Sequence, residues 1–277
     1  RIEQTSAMTA KVWFTLPLLT AFGLAIAMAG AWVIARHEGQ SGWTDAIWSF
    51  ATAAAGIFAS LAPFEAPLSS RQWLAAGLAG FWGARLGLHI AIRTLRHAGD
   101  DPRYAALRVE WGARFSGRLF RFLQIQALAG WVLAMSVMLA ARNPAPFPAW
   151  SDAAGLLLAL IALVGESLAD AQLSAFRKNP ANAGRICNKR LWSLSRHPNY
   201  FFEWLGWVAF AIIAIGPRGN SPSSWLAICG PVMMYWLLVH VSGIPPLEAH
   251  MLRSRGPEYH DIQRSIPAFW PIPGPRR

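Results

Sequence analysis

The chain has 277 residues, of which 54% are hydrophobic and only 14% charged, with 15 tryptophans and a formal net charge of +11. That balance excludes an ordinary soluble domain, in which about a quarter of residues are charged. It also excludes a nucleic-acid binder, because no basic segment stays clear of apolar sequence for long; basic cytoplasmic loops are the commoner source of such a charge.

The first apolar run, Val12 to Ala35, contains no ionisable residue. It exceeds the ~20 residues needed to span a bilayer. It is too long for the core of a secretory signal and is followed by no clear cleavage site, so it reads as a retained first span. Further runs at 43–62, 72–96, 119–141, 150–175, 198–216 and 224–242 bring the spans to seven. The expectation is an all-α polytopic membrane protein forming one domain over residues 1–277. With the N-terminus outside, the inner segments 36–42, 93–121, 177–197 and the tail after 243 hold nineteen Lys and Arg, and the outer segments hold five. This asymmetry places the C-terminus in the cytoplasm. A bacterial inner membrane is the expected location, with any polar ligand docking from the cytoplasmic side.

The second span carries Asp45 near its start and Trp48 on the same face. The third carries Arg85, His89, Arg93 and Arg96 as a cationic stripe, with Trp82 above it. Arg93 and Arg96 read as snorkelling anchors. Arg85 lies too deep for that and marks a functional or ion-paired position, with Asp45 as a candidate partner. The segment from Gly99 to Tyr104 is a turn signal. Its Asp100-Asp101 pair resembles a Mg²⁺ site only weakly.

The fifth span ends in Glu166, Asp170, Gln172 and Arg177, with 166, 170 and 177 on one helical stripe. Carboxylates inside an apolar helix face the protein interior, either in an ion pair or in a polar cofactor pocket. The loop from 177 to 197 holds Arg177, Lys178, Arg185, Lys189, Arg190 and Arg196, with Asn179, Asn182 and Asn188 between them. Such a loop anchors on lipid phosphates or clamps the phosphates of a dinucleotide. It leads into Arg196-His197-Pro198-Asn199-Tyr200, where Pro198 suits the first turn of a helix. A helix N-terminus beside Arg and His is a ready anion site. Asn199 and Glu203 follow on one face, a turn apart.

The tail from Ser242 onward, with Glu248, Arg253, Arg255, Tyr259 and Arg264, reads as a short amphipathic helix on the inner face. Tyr259 there either meets a cofactor or anchors at the interface. Cys187 and Cys229 support neither a disulfide framework nor a metal cluster. His37, His97, His250 and His260 fit no metal spacing, so no metal site is expected. There is no G-x-G-x-x-G, G-x-S-x-G, H-E-x-x-H or P-loop.

Several of these segments together resemble the steroid 5α-reductase superfamily, and more narrowly its bacterial members. They are Ala169-Asp170-Ala171-Gln172, Phe176-Arg177-Lys178-Asn179-Pro180, Leu191-Trp192 and the run from Ser195 to Glu203. Gly99 to Tyr104 and Ser242-Gly243-Ile244-Pro245 are further matches. The resemblance covers about residues 40–272. It implies a seven-helix membrane reductase that uses NADPH to reduce the Δ4 double bond of a 3-oxo steroid. It implies a cofactor site at Asp170, Arg177, Asn199 and Glu203, with Arg196, His197 and Tyr200 beside them. Glu166, Lys178, Asn188, Glu248 and Tyr259 complete the expected cofactor set.

The family's animal members grip the ketone with a Gln-Glu pair in the second span and a Tyr in the third. This chain has neither. Asp45, Arg85 and His89 are its candidate catalytic residues, and Trp48 and Trp82 its candidate substrate contacts. The expected partners are a steroid-like lipid and the bilayer, with the protein monomeric. The Arg-His-Pro run is shared with membrane isoprenylcysteine-type methyltransferases, so an S-adenosylmethionine-dependent lipid methyltransferase is the alternative enzyme. A non-catalytic lipid carrier is the third reading.

Overall fold

A computed structural model describes residues 2–63, 67–96, 99–216 and 222–272, with side chains from residue 13 onward. His97 and Arg218 lie outside the described residues. The described chain is helical, with no strand. The helices are α1 (Ile2–Glu38), α2 (Trp43–Leu61), α3 (Ser70–Arg96), α4 (Pro102–Trp111), α5 (Phe115–Ala141), α6 (Trp150–Lys178), α7 (Pro198–Ile215), α8 (Cys229–Trp236), α9 (Ile244–Arg255) and α10 (Pro257–Ser265).

Six helical stretches among the described residues are long and apolar enough to cross a membrane. They are Trp13–Glu38, Ser70–Arg96, Pro102–Ala141, Trp150–Lys178, Pro198–Ile215 and Pro222–Arg255. The helix expected as the second span, α2, has 19 residues, but Thr44, Asp45, Ser49, Thr52 and Ser60 dilute its apolar character. Those polar groups are satisfied in part along the helix itself: the Ser49 and Ser60 hydroxyls donate to the carbonyls of Asp45 and Gly56.

Two other expectations change. The segment 99–118 is largely helical rather than a loop. Asp101 caps α4 by accepting from the Arg103 N–H, Pro102 opens the helix, and Gly112 at φ 51° closes it. The last apolar stretch is broken, too. A 3₁₀ turn over Pro222–Ile228 precedes α8, and a π turn over Leu237–Val241 follows it, with the Ser242 N–H donating back five residues to the Leu237 carbonyl at 2.8 Å.

The chain divides into two compact units. The first comprises residues 1–153 and 210–230. Small residues let its helices approach closely. Gly83 of α3 faces Ala53 of α2, and Gly130 of α5 faces Thr52 and Trp48. Indole N–H groups tie α5 to its neighbours: Trp48 donates to the Gln126 carbonyl, Trp131 to Pro17 and, from α1, Trp32 to Ser116, all at 2.8–2.9 Å.

Each end of this unit carries an ionic knot. At one end Arg71 is 3% exposed and grips Asp152 through two 2.7 Å bonds. Its remaining N–H groups reach the carbonyls of Asn143, Ala145 and Pro146. A guanidinium this buried is stable only because its donors are so fully met. At the other end Asp45 accepts from Arg103 at 2.6 Å and from the Tyr104 hydroxyl at 2.7 Å. Asp100 receives the Ser41 N–H and Arg108, and Asp101 receives Arg93 and Arg103.

The second unit comprises residues 154–209 and 231–277. Most of α6, the basic loop, the first two-thirds of α7 and the C-terminal tail belong to it. In α10, Tyr259 and the following Ile266 turn inward while Glu258, His260, Asp261 and Arg264 face out, as the expected amphipathic tail requires.

Candidate functional site

In the second unit α6 and α7 run antiparallel and cross closely. A Cβ on Gly165 would meet the Phe202 ring at 2.4 Å, and one on Gly206 would sit 3.7 Å from Ala162. Carried one turn further, that register puts Asp170 level with Asn199, and it sets Glu166 beside the crossing with Glu203. Glu166 and Glu203 are each 5% exposed. The Trp207 indole donates to Glu203 Oε1 at 3.3 Å, one turn along α7. Asn199 Oδ1 is buried and has no hydrogen-bond partner among the described residues. Four of the polar residues expected at a cofactor site therefore line one helix pair.

The loop between the helices is stitched to α6. The Trp192 indole donates to the Ala169 carbonyl at 2.9 Å, and the Leu191 N–H donates to Gln172 Oε1 at 3.2 Å. Asn182 closes the other end on the Phe176 carbonyl. Arg190 holds a φ of 56°, unusual for a residue with a side chain. Arg177, Lys178, Arg185, Asn188, Lys189 and Arg190 are exposed. They present several cations and an amide to an incoming anion. Cys187 lies among them, and partial burial pushes its thiol up despite Arg177 and Lys189 nearby.

Pro198 opens α7 as expected, and the His197 carbonyl accepts the Tyr200 and Phe201 N–H groups. The His197 and Tyr200 rings stack with centroids 5.5 Å apart and planes at 11°. Three residues expected to touch a cofactor have other work. Arg196 is committed to the fold: Nε and Nη2 lie 2.7 and 2.6 Å from Glu248 Oε1, and Nη1 donates to the carbonyls of Gln263 and Ile266. Glu248 is thereby also occupied, since its other oxygen accepts from Gln263 at 2.8 Å. Tyr259 is 3% exposed within the tail, so its ring is covered and not open for stacking. Burial and the nearby Glu248 charge push its hydroxyl up to about 12.

Burial lowers the His197 ring below its ordinary range, although Glu248, 3.2 Å from Nε2, works in the opposite direction. Sequence reasoning missed Gln263, and it named Gln172 in the fifth span without giving it a role. Nothing in their local spacing marks them, because each acts on a segment remote in the chain.

The substrate-side candidates fall in the first unit. Trp48 and Trp82 meet edge to face with centroids 6.2 Å apart. Arg85 is half-buried one turn from Trp82, and His89 is exposed a further turn along α3. Asp45 corrects the expectation. Its partners are Arg103 and Tyr104, and it accepts a hydrogen bond from each. The Asp100-Asp101 pair is likewise bonded to arginines, Asp100 to Arg108 and Asp101 to Arg93 and Arg103. Burial would raise Asp101, but the Arg103 bonds and charge and the charge of Arg93 outweigh it and hold the carboxyl below its usual range. No group of His, Cys, Asp and Glu suited to a metal occurs among the described residues.

No curated protein and no solved structure matches the chain. A family model matches residues 31–266, and the chain belongs to that family, DUF1295, described as proteins of unknown function.

Proposed function

We propose that this DUF1295 protein is an NADPH-dependent reductase of the Δ4 double bond of a 3-oxo steroid or a similar flat lipid enone. The family is associated with the steroid 5α-reductase-like superfamily, in line with the motif resemblance. The observation that carries the reading is Asn199. Its buried Oδ1 has no partner among the described residues, and a buried acceptor normally finds one. A ligand bringing N–H or O–H donors meets that need, as the carboxamide and ribose hydroxyls of a dinucleotide do. Buried Glu203 and Glu166 add further acceptors, and the exposed cations of the basic loop suit its phosphates.

NADPH, when bound, supplies the hydride. The protein's part is to bind, orient and exclude water. Asn199, Glu203, Glu166 and Asp170 hold the donor-rich portion between α6 and α7. Arg177, Lys178 and Asn188 remain the candidates for the phosphates. On the substrate side, Trp48 and Trp82 offer a flat apolar edge for a lipid ring. Arg85 and His89 are the remaining candidates to polarise the ketone oxygen as charge develops there. Seven spans, with α2 as the seventh, an outside N-terminus and a cytoplasmic C-terminus complete the proposal, as does action as a monomer in a bacterial inner membrane.

The test is direct. Purified protein with a 3-oxo-Δ4 steroid should oxidise NADPH and yield the saturated ketone. Methyl transfer from labelled S-adenosylmethionine, without NADPH oxidation, would establish the alternative enzyme instead.

A further inference from the structure

We propose that Glu248 is the positioning residue of this site: one carboxylate clasps the C-terminal tail to the start of α7 and so sets where Asn199 stands. The inference rests on the reading of Asn199 as a ligand contact.

Glu248 lies on α9, 52 residues from Arg196. Its Oε1 accepts from Arg196 and faces His197, and its Oε2 accepts from Gln263 of α10. One group thus joins the segment before α7 to both helices of the tail. The clasp continues through the backbone. The Arg196 N–H donates to the Pro267 carbonyl at 2.9 Å, and the Ser195 hydroxyl lies 3.1 and 3.0 Å from the carbonyls of Ala268 and Phe269. Phe269 then packs edge to face on Phe201 and Trp204 of α7 and on Tyr235 of α8, with centroids 5.8, 5.9 and 5.2 Å apart.

The side chains of Ser195, Arg196 and His197 thus all reach the tail, and Asn199 follows two residues after His197. The direction in which α7 leaves this turn fixes the Asn199 side chain. Glu248 itself is not spare for a ligand, since both its oxygens are used. Its effect on ligand binding must pass through Arg196 and His197.

A fold staple with no bearing on the site would use the same bonds, so the test separates the two roles. A buried ion pair replaced by apolar side chains of similar volume often keeps stability. The double variant Arg196→Met/Glu248→Met leaves no unpaired buried charge and is therefore expected to fold, with a melting temperature lowered because the carbonyls of Gln263 and Ile266 lose their donor. It should nevertheless bind NADPH about tenfold or more weakly, because a small misplacement of binding groups has effects of that order. Amide exchange at Tyr200 and Phe201, whose N–H groups bond to His197, should quicken in it and in the single variant Glu248→Gln. Wild-type NADPH affinity in a stable double variant overturns the proposal. So does unchanged exchange at those amides in Glu248→Gln, which needs no cofactor and is readable even if the double variant does not fold. A wild-type protein that binds no NADPH would instead overturn the functional reading, and the exchange rates would still decide the clasp.

Discussion

Gly165 of α6 lies directly under the ring of Phe202 of α7, with 2.4 Å between the ring and the place a Cβ would occupy. No side chain fits there unless the Phe202 ring or one of the helices moves. Because Glu166 and Glu203 are the next residues along each helix, that contact also sets the spacing of the buried carboxylates. Gly165→Ala should lower stability by about 1–3 kcal/mol, as overpacking does, and weaken NADPH binding. Gly165→Ala/Phe202→Leu, which trims the ring, should recover most of both. Thermal unfolding in detergent and a binding titration would check this; full affinity in the single variant would show the crossing to be irrelevant to the site.

Asn199→Ala removes an acceptor that no donor among the described residues uses. Stability should be nearly unchanged. Affinity for NADPH should drop about ten- to hundredfold, matching a lost hydrogen bond to a buried group of ~1–3 kcal/mol. A variant that binds like wild type would take Asn199 out of the site.

The Arg71–Asp152 pair predicts a different pattern. Asp152→Asn leaves a buried guanidinium without its counter-charge, and such breaks remove about 3–5 kcal/mol. Replacing both residues with apolar ones should not restore stability, because the carbonyls of Asn143, Ala145 and Pro146 lose their donors as well. Full recovery in the double variant would mean those three contacts contribute little.

His197 gives the pH dependence. Its native pKa is depressed, chiefly by burial, against about 6.5 in an unfolded chain. Above that value the ring is neutral in both states, and its contribution is constant. As pH falls through it, the unfolded chain takes up a proton that the native ring resists, so stability declines. The melting temperature should therefore fall between pH 7.5 and 5.5, and His197→Gln should fall less. An equal fall in both would assign the effect to other groups.

Asp45 tests the substrate side. Held by Arg103 and Tyr104, it should act on the fold and not on turnover. Asp45→Asn is expected to lower expression or melting temperature while kcat of the surviving protein stays near wild type. His89→Ala, at an exposed position on α3, should leave stability alone and lower kcat. Loss of kcat in a stable Asp45→Asn protein would return the catalytic role to Asp45.

Features that depend on local sequence were readable in advance. Pro198 marked the start of α7, and the four-residue spacing of Asn199 and Glu203 gave their shared face. The apolar runs gave most of the helices. Pairings across long separations were not readable. Arg196 next to a helix N-terminus resembles a phosphate clamp until Glu248, 52 residues away, occupies it. Asp45 suggested Arg85 because both lie in neighbouring helices, but Arg103, 58 residues on, is its partner. Asp101 before Pro102 was a legible cap for α4, and reading it only as a turn hid the helix that carries Tyr104. The π turn after Trp236 had a weaker signal in Ser242-Gly243, where a Cβ on Gly243 would strike the Leu238 carbonyl at 2.4 Å.

The central claim is that the buried acceptors of α6 and α7 hold NADPH for reduction of a lipid enone. The most direct measurement follows absorbance at 340 nm as purified protein in lipid nanodiscs meets NADPH and a 3-oxo-Δ4 steroid, with the product identified by mass. The account predicts steroid-dependent loss of NADPH matched mole for mole by a product two mass units heavier, and neither change in Asn199→Ala/Glu203→Ala. NADPH that neither binds nor is oxidised with any of several 3-oxo-Δ4 steroids would contradict it.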